Sequence, residues 1–134
     1  MASSVNWYFQ TIDKKLEKER IISYLEQINY GNKRITGDLS SYWMESALKI
    51  SPVEQVELLI DLYIENITAV KNALCISSSD TYALYGKTGT GRVNEKDISG
   101  WFIGYVETTD TTYFFATNIR ANTNATGSHA AEIT

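Results

Sequence analysis

The apolar pattern of the chain changes once, near residue 80, from a helical period to strand-like segments. Before that point, the apolar residues between about Ser3 and Asn29 recur three or four positions apart, which predicts two helices with a break near Lys18–Arg20. After it, the segments YALYGKT, GWFIGYVET and TYFFATNI are rich in aromatic and β-branched residues and predict strands. Helices followed by antiparallel strands are typical of an α+β fold.

Local signals mark the connections in the helical half. The stretch Tyr30–Ser41 is rich in Gly, Asn and Ser and predicts a loop. Ser51 and Glu54 have the spacing of a capping box around Pro52, a favoured residue of the first helical turn. A helix is therefore expected to begin there, and one more short helix from Thr68.

The strand half contains connections of two kinds. TTDTT, Thr108–Thr112, predicts a tight turn, so the last two strands should form an antiparallel hairpin. RVNEKDIS, Arg92–Ser99, predicts a longer loop between the first two strands. The final SHAAEIT predicts the first turns of a C-terminal helix. We expect one domain, or a piece of a larger one, over residues 1–134, with 1–79 mostly helical and 80–134 holding the strands and this helix start.

Charge and residue types exclude several functions. The net charge is −4 with a pI of about 5.0, and no Lys/Arg cluster of the kind that holds polyanions occurs, so no nucleic-acid partner is expected. The only histidine is His129, and no CxxC or HxxxH spacing occurs, so no metal site is expected. The single cysteine, Cys75, is expected to be a buried structural thiol.

The sequence gives no sign of a membrane or targeting segment. No apolar run approaches the roughly 20 residues that a bilayer requires, so we expect no membrane segment in this chain. The first residues, MASSVNWYFQ, lack the basic and apolar regions of a signal peptide. The localisation of this chain is therefore unknown at this stage.

The stretch LYGKTGTG interrupts the first predicted strand with glycines, hydroxyls and one lysine. We place Lys87, Thr88 and Gly89 at the end of this strand, where the glycines let another molecule approach the backbone closely. An exposed edge there offers N–H groups to a developing oxyanion, while Lys87 supplies positive charge and Thr88 and Thr90 supply hydroxyls for a carboxylate. The alternative is a glycine-rich turn with a surface lysine.

Four motifs stand in one order along the chain. They are Ser-x-Val at Ser3–Val5, Tyr-Gly-Asn at Tyr30–Asn32, a tryptophan-containing loop and its following helix at Ser41–Leu59, and YGKTGTG with the two strands after it. In this order and spacing the chain resembles class D serine β-lactamases, and it is similar to the β-lactam-sensing domain of membrane receptors that induce antibiotic resistance. The resemblance covers nearly the whole chain and implies the serine β-lactamase/transpeptidase-like, penicillin-binding fold.

The resemblance assigns roles in the helical half. Ser3 would shuttle protons beside the nucleophile, and Val5 would line the pocket. Trp43 would reach the family's active-site lysine and hold it in its carbamylated form; the alternative for Trp43 is a plain core aromatic. Tyr30–Asn32 is interpreted as a turn of structural importance.

The resemblance also assigns roles in the strand half. Lys87 and Thr88 would set the electrostatics and bind the carboxylate of the drug, beside Gly89. The backbone N–H of Thr90 would complete the oxyanion hole. The arginine that often holds the substrate carboxylate in this family has no clear counterpart, because Arg120 lies too early in the sequence.

One departure from the family concerns the attacking group. The family acts through a serine in a Ser-x-x-Lys motif, with a carbamylated lysine as general base, and this motif should precede Ser3, where only Met1 and Ala2 stand. We therefore expect a catalytically incomplete fragment, inactive alone, in which the N-terminal strands, the nucleophile helix and the end of the C-terminal helix are missing. No cofactor is expected, since the family uses only the carbamylated lysine.

Three functions remain open. The first is a class D-like β-lactamase that hydrolyses β-lactams through an acyl-serine in the parent protein. The second is the extracellular β-lactam-sensing domain of a membrane receptor, and the third is a degenerate, non-catalytic homologue. The resemblance implies β-lactams such as penicillins as partners of the complete protein, and an extracytoplasmic parent, secreted or membrane-anchored. The sheet edge and apolar helix faces that a fragment leaves uncovered predict self-association.

Overall fold

The computed structural model describes residues 5–44 and 47–134 of the chain. Its elements follow the predicted order of helices and then strands, which confirms the α+β fold class. The bounds of the elements are α1 Asn6–Asp13, α2 Lys18–Gln27, α3 Pro52–Ile64, α4 Thr68–Leu74, β1 Cys75–Ser78, β2 Tyr82–Val93, β3 Lys96–Thr108, β4 Thr112–Arg120 and α5 Gly127–Glu132.

The four strands form one antiparallel sheet in the order β1-β2-β3-β4. The tight turn predicted at Thr108–Thr112 is confirmed, because β3 ends at its first residue and β4 begins at its last. The longer loop predicted at Arg92–Ser99 is wrong. Only Asn94 and Glu95 connect β2 to β3, and both have a positive φ, of 48° and 61°. Such two-residue turns match the twist of the flanking strands, which therefore extend to the turn.

The first strand was missed by the sequence analysis. Cys75–Ser78 directly follows α4 and pairs with the start of β2, with Ser78 opposite Ala83 and Cys75 opposite Tyr85. Cys75 is exposed, so its assignment as a buried thiol is wrong. The helical segment predicted around it ends at Leu74, and Cys75 lies on a strand at the edge of the sheet, where side chains reach solvent.

Helices cover both faces of the sheet. On one face, the ring of Tyr63 in α3 packs edge-on against the rings of Tyr105 and Phe114. The ring centroids are 5.3 and 5.4 Å apart. On the other face, the hydroxyl of Thr134, just after α5, donates to that of Thr117 at 2.7 Å. Since side chains alternate along a strand, each residue of β2 points to one of these two layers.

Helices α1 and α2 stand apart from the sheet, and the break between them lies at 14–17 rather than near Lys18–Arg20. α2 packs on the loop that follows it through a small core of Ile21, Leu25 and Ile35, all less than a tenth exposed. The predicted start of α3 is confirmed as a complete capping box. No helix in the part of the chain that the structure covers is long and apolar enough to cross a membrane.

Candidate binding cleft

The segment Lys87–Gly89 lies in the middle of β2, and its placement at the end of a strand is wrong. β2 runs on to Val93 and pairs with β3 throughout, with Lys87 opposite Ile103 and Gly89 opposite Trp101. Along the opposite edge, β1 pairs only as far as Tyr85, and no other described strand continues this pairing. The backbone of β2 beyond Tyr85 is therefore an open strand edge, as an oxyanion-binding site requires.

A cleft of about 470 Å³ separates this part of the sheet from the loop before α3. Its sheet side is formed by residues of three adjacent strands, and its loop side by residues between Tyr30 and Gln55. The lining residues are Tyr30, Trp43, Leu48, Lys49, Ile50, Pro52, Gln55, Lys87, Thr88, Gly89, Trp101, Ile103, Asn118 and Arg120.

A second cleft of about 450 Å³ adjoins the first along the same strand. The two clefts share Trp43, Trp101 and Lys87–Gly89. The second one continues along β2 to Gly91 and reaches Ser128 of α5. Lys87–Gly89 therefore borders both spaces.

The ammonium group of Lys87 is a cation without a carboxylate partner in the described part of the chain. Its Nζ donates to the carbonyl oxygen of Thr88 at 2.7 Å. No described Asp or Glu lies within salt-bridge distance of it, and none lines either cleft. Lys49 and Arg120 line the larger cleft as well, so the charged side chains among its described lining residues are all cationic. The cleft is suited to an anionic ligand.

The hydroxyl group of Thr90 holds α5 against β2. Its Oγ1 accepts a hydrogen bond from the backbone N–H of Gly127 at 2.9 Å. A Cβ atom at Gly127 would lie 2.7 Å from the carbonyl oxygen of Gly89, so only glycine allows α5 this close to the strand. The Thr90 hydroxyl oxygen thus accepts a hydrogen bond within the protein, and its O–H can still donate.

Gly89 itself is not required by the packing of the protein. A Cβ atom there would meet only the Cβ of Trp101, at the ordinary contact distance of 3.8 Å. Among the described residues, none fills the space in front of Gly89, which suits it to the close approach of a bound molecule.

The Tyr30–Asn32 segment joins the loop to α3. Gln55 is buried and donates from Nε2 to the hydroxyl of Tyr30 at 3.1 Å. Burial raises the pKa of Tyr30, and the hydrogen bond from Gln55 opposes this only in part. The phenol is neutral at physiological pH and serves to connect two elements below the cleft.

The other predicted site residues of the helical half are placed as follows. Ser3 lies outside the described residues. Val5 immediately precedes α1 and is 36% exposed; it lines neither cleft, whereas the adjacent Asn6 lines the second one. Trp43 lines both clefts, and its ring packs edge-on against that of Tyr42 at 5.2 Å.

A Ser-x-x-Lys spacing occurs once in the chain, at Ser46–Lys49, although not before Ser3, where the family motif is expected. Ser46 lies outside the described residues. In a helix, positions i and i+3 share a face, which brings the two side chains together. Residues 47–50 are not helical, and the backbone N–H and C=O of Lys49 both bond to Asn32. The described part of this segment therefore lacks the helical geometry that pairs such a serine and lysine.

The lining residues that the sequence did not identify as site residues include Trp101, Asn118 and Arg120 of the sheet. Trp101 faces Gly89 across the ladder, and Asn118 pairs with Trp101 in turn. Arg120 pairs with Ser99 and lines the larger cleft. Only the strand register reveals these neighbours, since they lie 12 to 33 positions from the Lys87–Gly89 segment in sequence. No group of metal-ligating side chains is found in residues 5–44 and 47–134.

Comparisons with known proteins place this cleft in a family context. The sequence profile of the penicillin binding protein transpeptidase domain matches residues 1–72 and 64–134. The chain is 46% identical over 140 residues to the methicillin resistance mecR1 protein of Staphylococcus aureus, covering 99% of this chain and 24% of that protein.

Solved structures agree with the sequence comparison. The C-terminal domain of the Bacillus licheniformis BlaR penicillin-receptor superposes with a TM-score of 0.88 at 42% identity, over 99% of this chain and 56% of that one. A class D β-lactamase from Bacillus subtilis superposes with a TM-score of 0.83 at 34% identity, over 96% of this chain and 54% of that one. The chain thus spans about a quarter of the curated relative and about half of each solved domain.

Proposed function

The chain belongs to the penicillin-binding transpeptidase family, in the branch that contains class D β-lactamases and penicillin receptors, and we propose that it forms the wall of a β-lactam-binding site. The observation that carries this proposal is the open edge of β2 at Lys87–Gly89. There, a cation, a hydroxyl and an unfilled space before a glycine border a cleft whose described lining residues include cationic side chains and no acidic ones.

Each wall residue has a proposed task. Lys87 provides positive potential, and Thr88 donates its hydroxyl to the carboxylate of the β-lactam. The ligand lies along Gly89, and the backbone N–H of Thr90 supports the oxyanion that develops on the β-lactam carbonyl. In the acylation step, the serine oxygen bonds to that carbonyl carbon and the ring C–N bond breaks. The ring nitrogen takes up the proton that the serine hydroxyl has lost.

The helical half is proposed to complete the site. Ser3 carries the proton between nucleophile and ring nitrogen, and Trp43 contacts the family's carbamylated lysine. Val5 lines neither described cleft, so its proposed place at the pocket requires the complete domain. The position of Trp43 at the junction of the two clefts supports this role. We propose that residues 1–134 act as one structural unit of a larger domain, with residues 1–79 mostly helical and 80–134 carrying the sheet.

The receptor function is favoured over hydrolysis. Identity is 46% to the methicillin resistance mecR1 protein and 42% to the BlaR penicillin-receptor domain, but 34% to the class D enzyme. A receptor retains its acyl group as the signal, whereas a β-lactamase releases it quickly. Both functions require the same residues of the β2 edge, Lys87 to Thr90. The rate of deacylation therefore distinguishes the two functions. A degenerate homologue would form no acyl group.

The remaining parts of the proposal follow from the same family. The ligand is a β-lactam, the location is extracytoplasmic, and no cofactor beyond a carbamylated lysine is required. We also propose that the 134-residue chain by itself self-associates through an exposed edge of its sheet.

The role of Lys87 is tested by acylation of the full-length gene product with a fluorescent penicillin. We expect Lys87→Met to lower the second-order acylation rate by about 10²–10³-fold, because it removes positive charge from a site of developing negative charge. Lys96→Met is the matched control: Lys96 is an exposed lysine at the far end of the same hairpin and lines neither cleft. Equal rates for both variants would contradict the proposal.

The same labelled protein identifies the nucleophile and the fate of the acyl group. Peptide mapping is expected to place the label outside residues 1–134, and Ser46→Ala is expected to leave labelling unchanged. A label on Ser46 would show that this chain supplies the nucleophile. Loss of label within seconds would favour the β-lactamase, retention for hours the receptor, and no label at all the degenerate homologue.

A further inference from the structure

We propose that Asn32 is a positioning residue of the β-lactam site, which fixes the loop that carries Trp43 and Lys49 to the cleft. This inference rests on the proposed function, and it adds a determinant that touches neither cleft: Asn32 is not among the lining residues of either one. The name "loop clamp" is used below for the contacts of Asn32 with Ala47 and Lys49.

The loop clamp consists of three hydrogen bonds, which involve the side-chain Nδ2, the side-chain Oδ1 and the backbone N–H of Asn32. Its side-chain Nδ2 donates to the carbonyl oxygen of Ala47 at 2.9 Å. Its side-chain Oδ1 accepts from the backbone N–H of Lys49 at 3.1 Å. Its backbone N–H donates to the carbonyl oxygen of Lys49 at 2.9 Å. The amide side chain therefore acts as a short strand partner for this non-helical segment.

The residue before Asn32 allows this close approach. Gly31 has a φ of +50°, and a Cβ atom there would lie 2.0 Å from the carbonyl oxygen of Lys49. Oδ1 of Asn32 also accepts from the backbone N–H of Arg34 at 3.1 Å, which fixes the side-chain rotamer. The Gly-Asn pair of the motif thus has a defined purpose: glycine admits the loop, and asparagine binds it.

Trp43 is held between the loop clamp and a second anchor. Tyr42, directly before it, packs on the core of Ile21, Leu25 and Ile35, while Ala47 and Lys49 follow it within six residues. Trp43, whose side chain borders both clefts, therefore has an anchored residue before it and anchored residues after it in sequence. Releasing the clamp leaves Tyr42 and Leu48 packed on the core but removes the hydrogen bonds of Ala47 and Lys49 with Asn32, so the backbone that carries Trp43 and Lys49 is expected to shift without loss of the core.

One substitution separates the donor part of the clamp from the rest. Asn32→Asp keeps the acceptor for Lys49 and Arg34 but, when ionised, cannot donate to Ala47 and faces its carbonyl oxygen with negative charge. When protonated, the carboxyl group is shaped like the amide and can donate again. An ordinary carboxyl group is ionised at neutral pH. The charges next to Asn32 in sequence, Lys33 and Arg34, are cationic, and Glu54 of α3 interacts with Lys33, so donation is expected to return only at acidic pH.

The first measurement is independent of β-lactams. In full-length protein labelled with 5-fluorotryptophan, the ¹⁹F resonance of Trp43 is identified by its loss in Trp43→Phe. We expect Asn32→Asp to shift or broaden this resonance at pH 7 and to restore it towards the wild-type position as the pH is lowered. Asn29→Asp is the matched control, because Asn29 is an exposed amide in the same turn whose Oδ1 accepts only from Lys33 in the described chain.

The second measurement is acylation by fluorescent penicillin at pH 7. We expect about a tenfold lower rate for Asn32→Asp and a rate within about twofold of wild type for Asn29→Asp, since a small displacement of site groups is costly to rate. If Asn32→Asp melts below the assay temperature, Asn32→Ala carries the test: it lacks donor and acceptor and is expected to show the altered resonance at every pH.

The outcomes distinguish this inference from the proposed function. A Trp43 resonance that is the same in wild type, Asn32→Ala and Asn32→Asp would overturn the inference, even if wild type is acylated. Absence of acylation in wild type would overturn the proposed function, while a pH-dependent Trp43 resonance would still support the loop clamp. An altered resonance with unchanged acylation would overturn the positioning role and leave the clamp as a structural feature only.

Discussion

Two glycines outside the sheet show how closely backbone segments of this protein approach one another. Gly31 contacts Lys49, and Gly127 contacts Gly89, and in both cases a Cβ atom would overlap backbone atoms. Backbone is harder to displace than the end of a flexible side chain. These two glycines therefore determine where the loop and α5 can lie, and substitutions there are expected to affect the cleft as well as stability.

Gly31→Ala is the prediction at the scale of the residue. It should cost about 3 kcal/mol of unfolding free energy, from about 1–2 kcal/mol for a left-handed alanine and about 1–3 kcal/mol for the overlap with Lys49. Gly37→Ala is the control, since Gly37 also has a positive φ, +77°, but open space around its Cβ position. It should cost about 1–2 kcal/mol. Urea unfolding of the three proteins measures this, and equal losses would contradict the role of the close approach.

Between elements, one ion pair connects the helical layer to the sheet. Nζ of Lys71 in α4 lies 2.6 Å from Oε1 of Glu107 in β3, and it also lies over the ring of Tyr85, 5.2 Å from its centroid. Burial alone raises the pKa of Glu107, but the hydrogen bond and charge of Lys71, together with hydrogen bonds from Tyr85 and Tyr63, outweigh it and leave this pKa lowered. The hydrogen bond with Glu107 raises the pKa of Lys71.

Glu107→Gln is the prediction at the scale of the element. The carboxylate has a lowered pKa in the folded state, so its stabilisation is present above the ordinary glutamate range and is lost as the pH falls through the folded value. We expect the variant to lose about 1 kcal/mol at pH 7, a modest value because the side chain of Lys71 is 34% exposed. The difference from wild type should shrink below about pH 4.

Thermal or urea unfolding between pH 3 and 8 measures this difference. Glu57→Gln is the control, because Glu57 is exposed on α3 and has no ion pair in the described part of the chain. A difference between Glu107→Gln and wild type that is the same at pH 3 and pH 7 would contradict the ion-pair explanation. At high pH, the raised pKa of Lys71 predicts a second loss, once the pH rises through the folded value.

At the scale of the whole molecule, much apolar surface and two sheet edges remain uncovered in the described chain. Trp7 and Phe9 of α1 are 68% and 56% exposed, and Tyr113 at the start of β4 is 62% exposed. β4 has a strand neighbour on one side only. Open edges and exposed aromatic groups favour association with other copies.

Self-association of the 134-residue chain is therefore predicted. Sedimentation velocity should show a weight-average coefficient that rises with protein concentration. Tyr113→Lys should weaken this rise, because a charged side chain on an edge strand opposes pairing between chains. Thr111→Lys, in the turn before β4, adds the same charge outside the edge and is expected to have little effect. A concentration-independent monomer with a sharp melting transition would contradict the prediction.

The sequence by itself determined the elements whose signals are local. The capping box of Ser51 and Glu54, the tight turn after Thr108 and the period of the helices all depend on residues a few positions apart, and all are present in the structure. The motifs around Lys87 and Trp43 likewise identified two sides of one cleft, since each is recognisable within its own segment.

Only the tertiary structure decided how these segments meet. Strand pairing extended β2 past Lys87–Gly89 to Val93, added β1 at Cys75, and brought Arg120 to the cleft, because a strand gains its hydrogen bonds from partners that lie far away in sequence. The contact of Asn32 with Lys49 depends on the same kind of distant partner. Local patterns specify which element a segment forms, whereas register and packing between elements decide which side chains share a site.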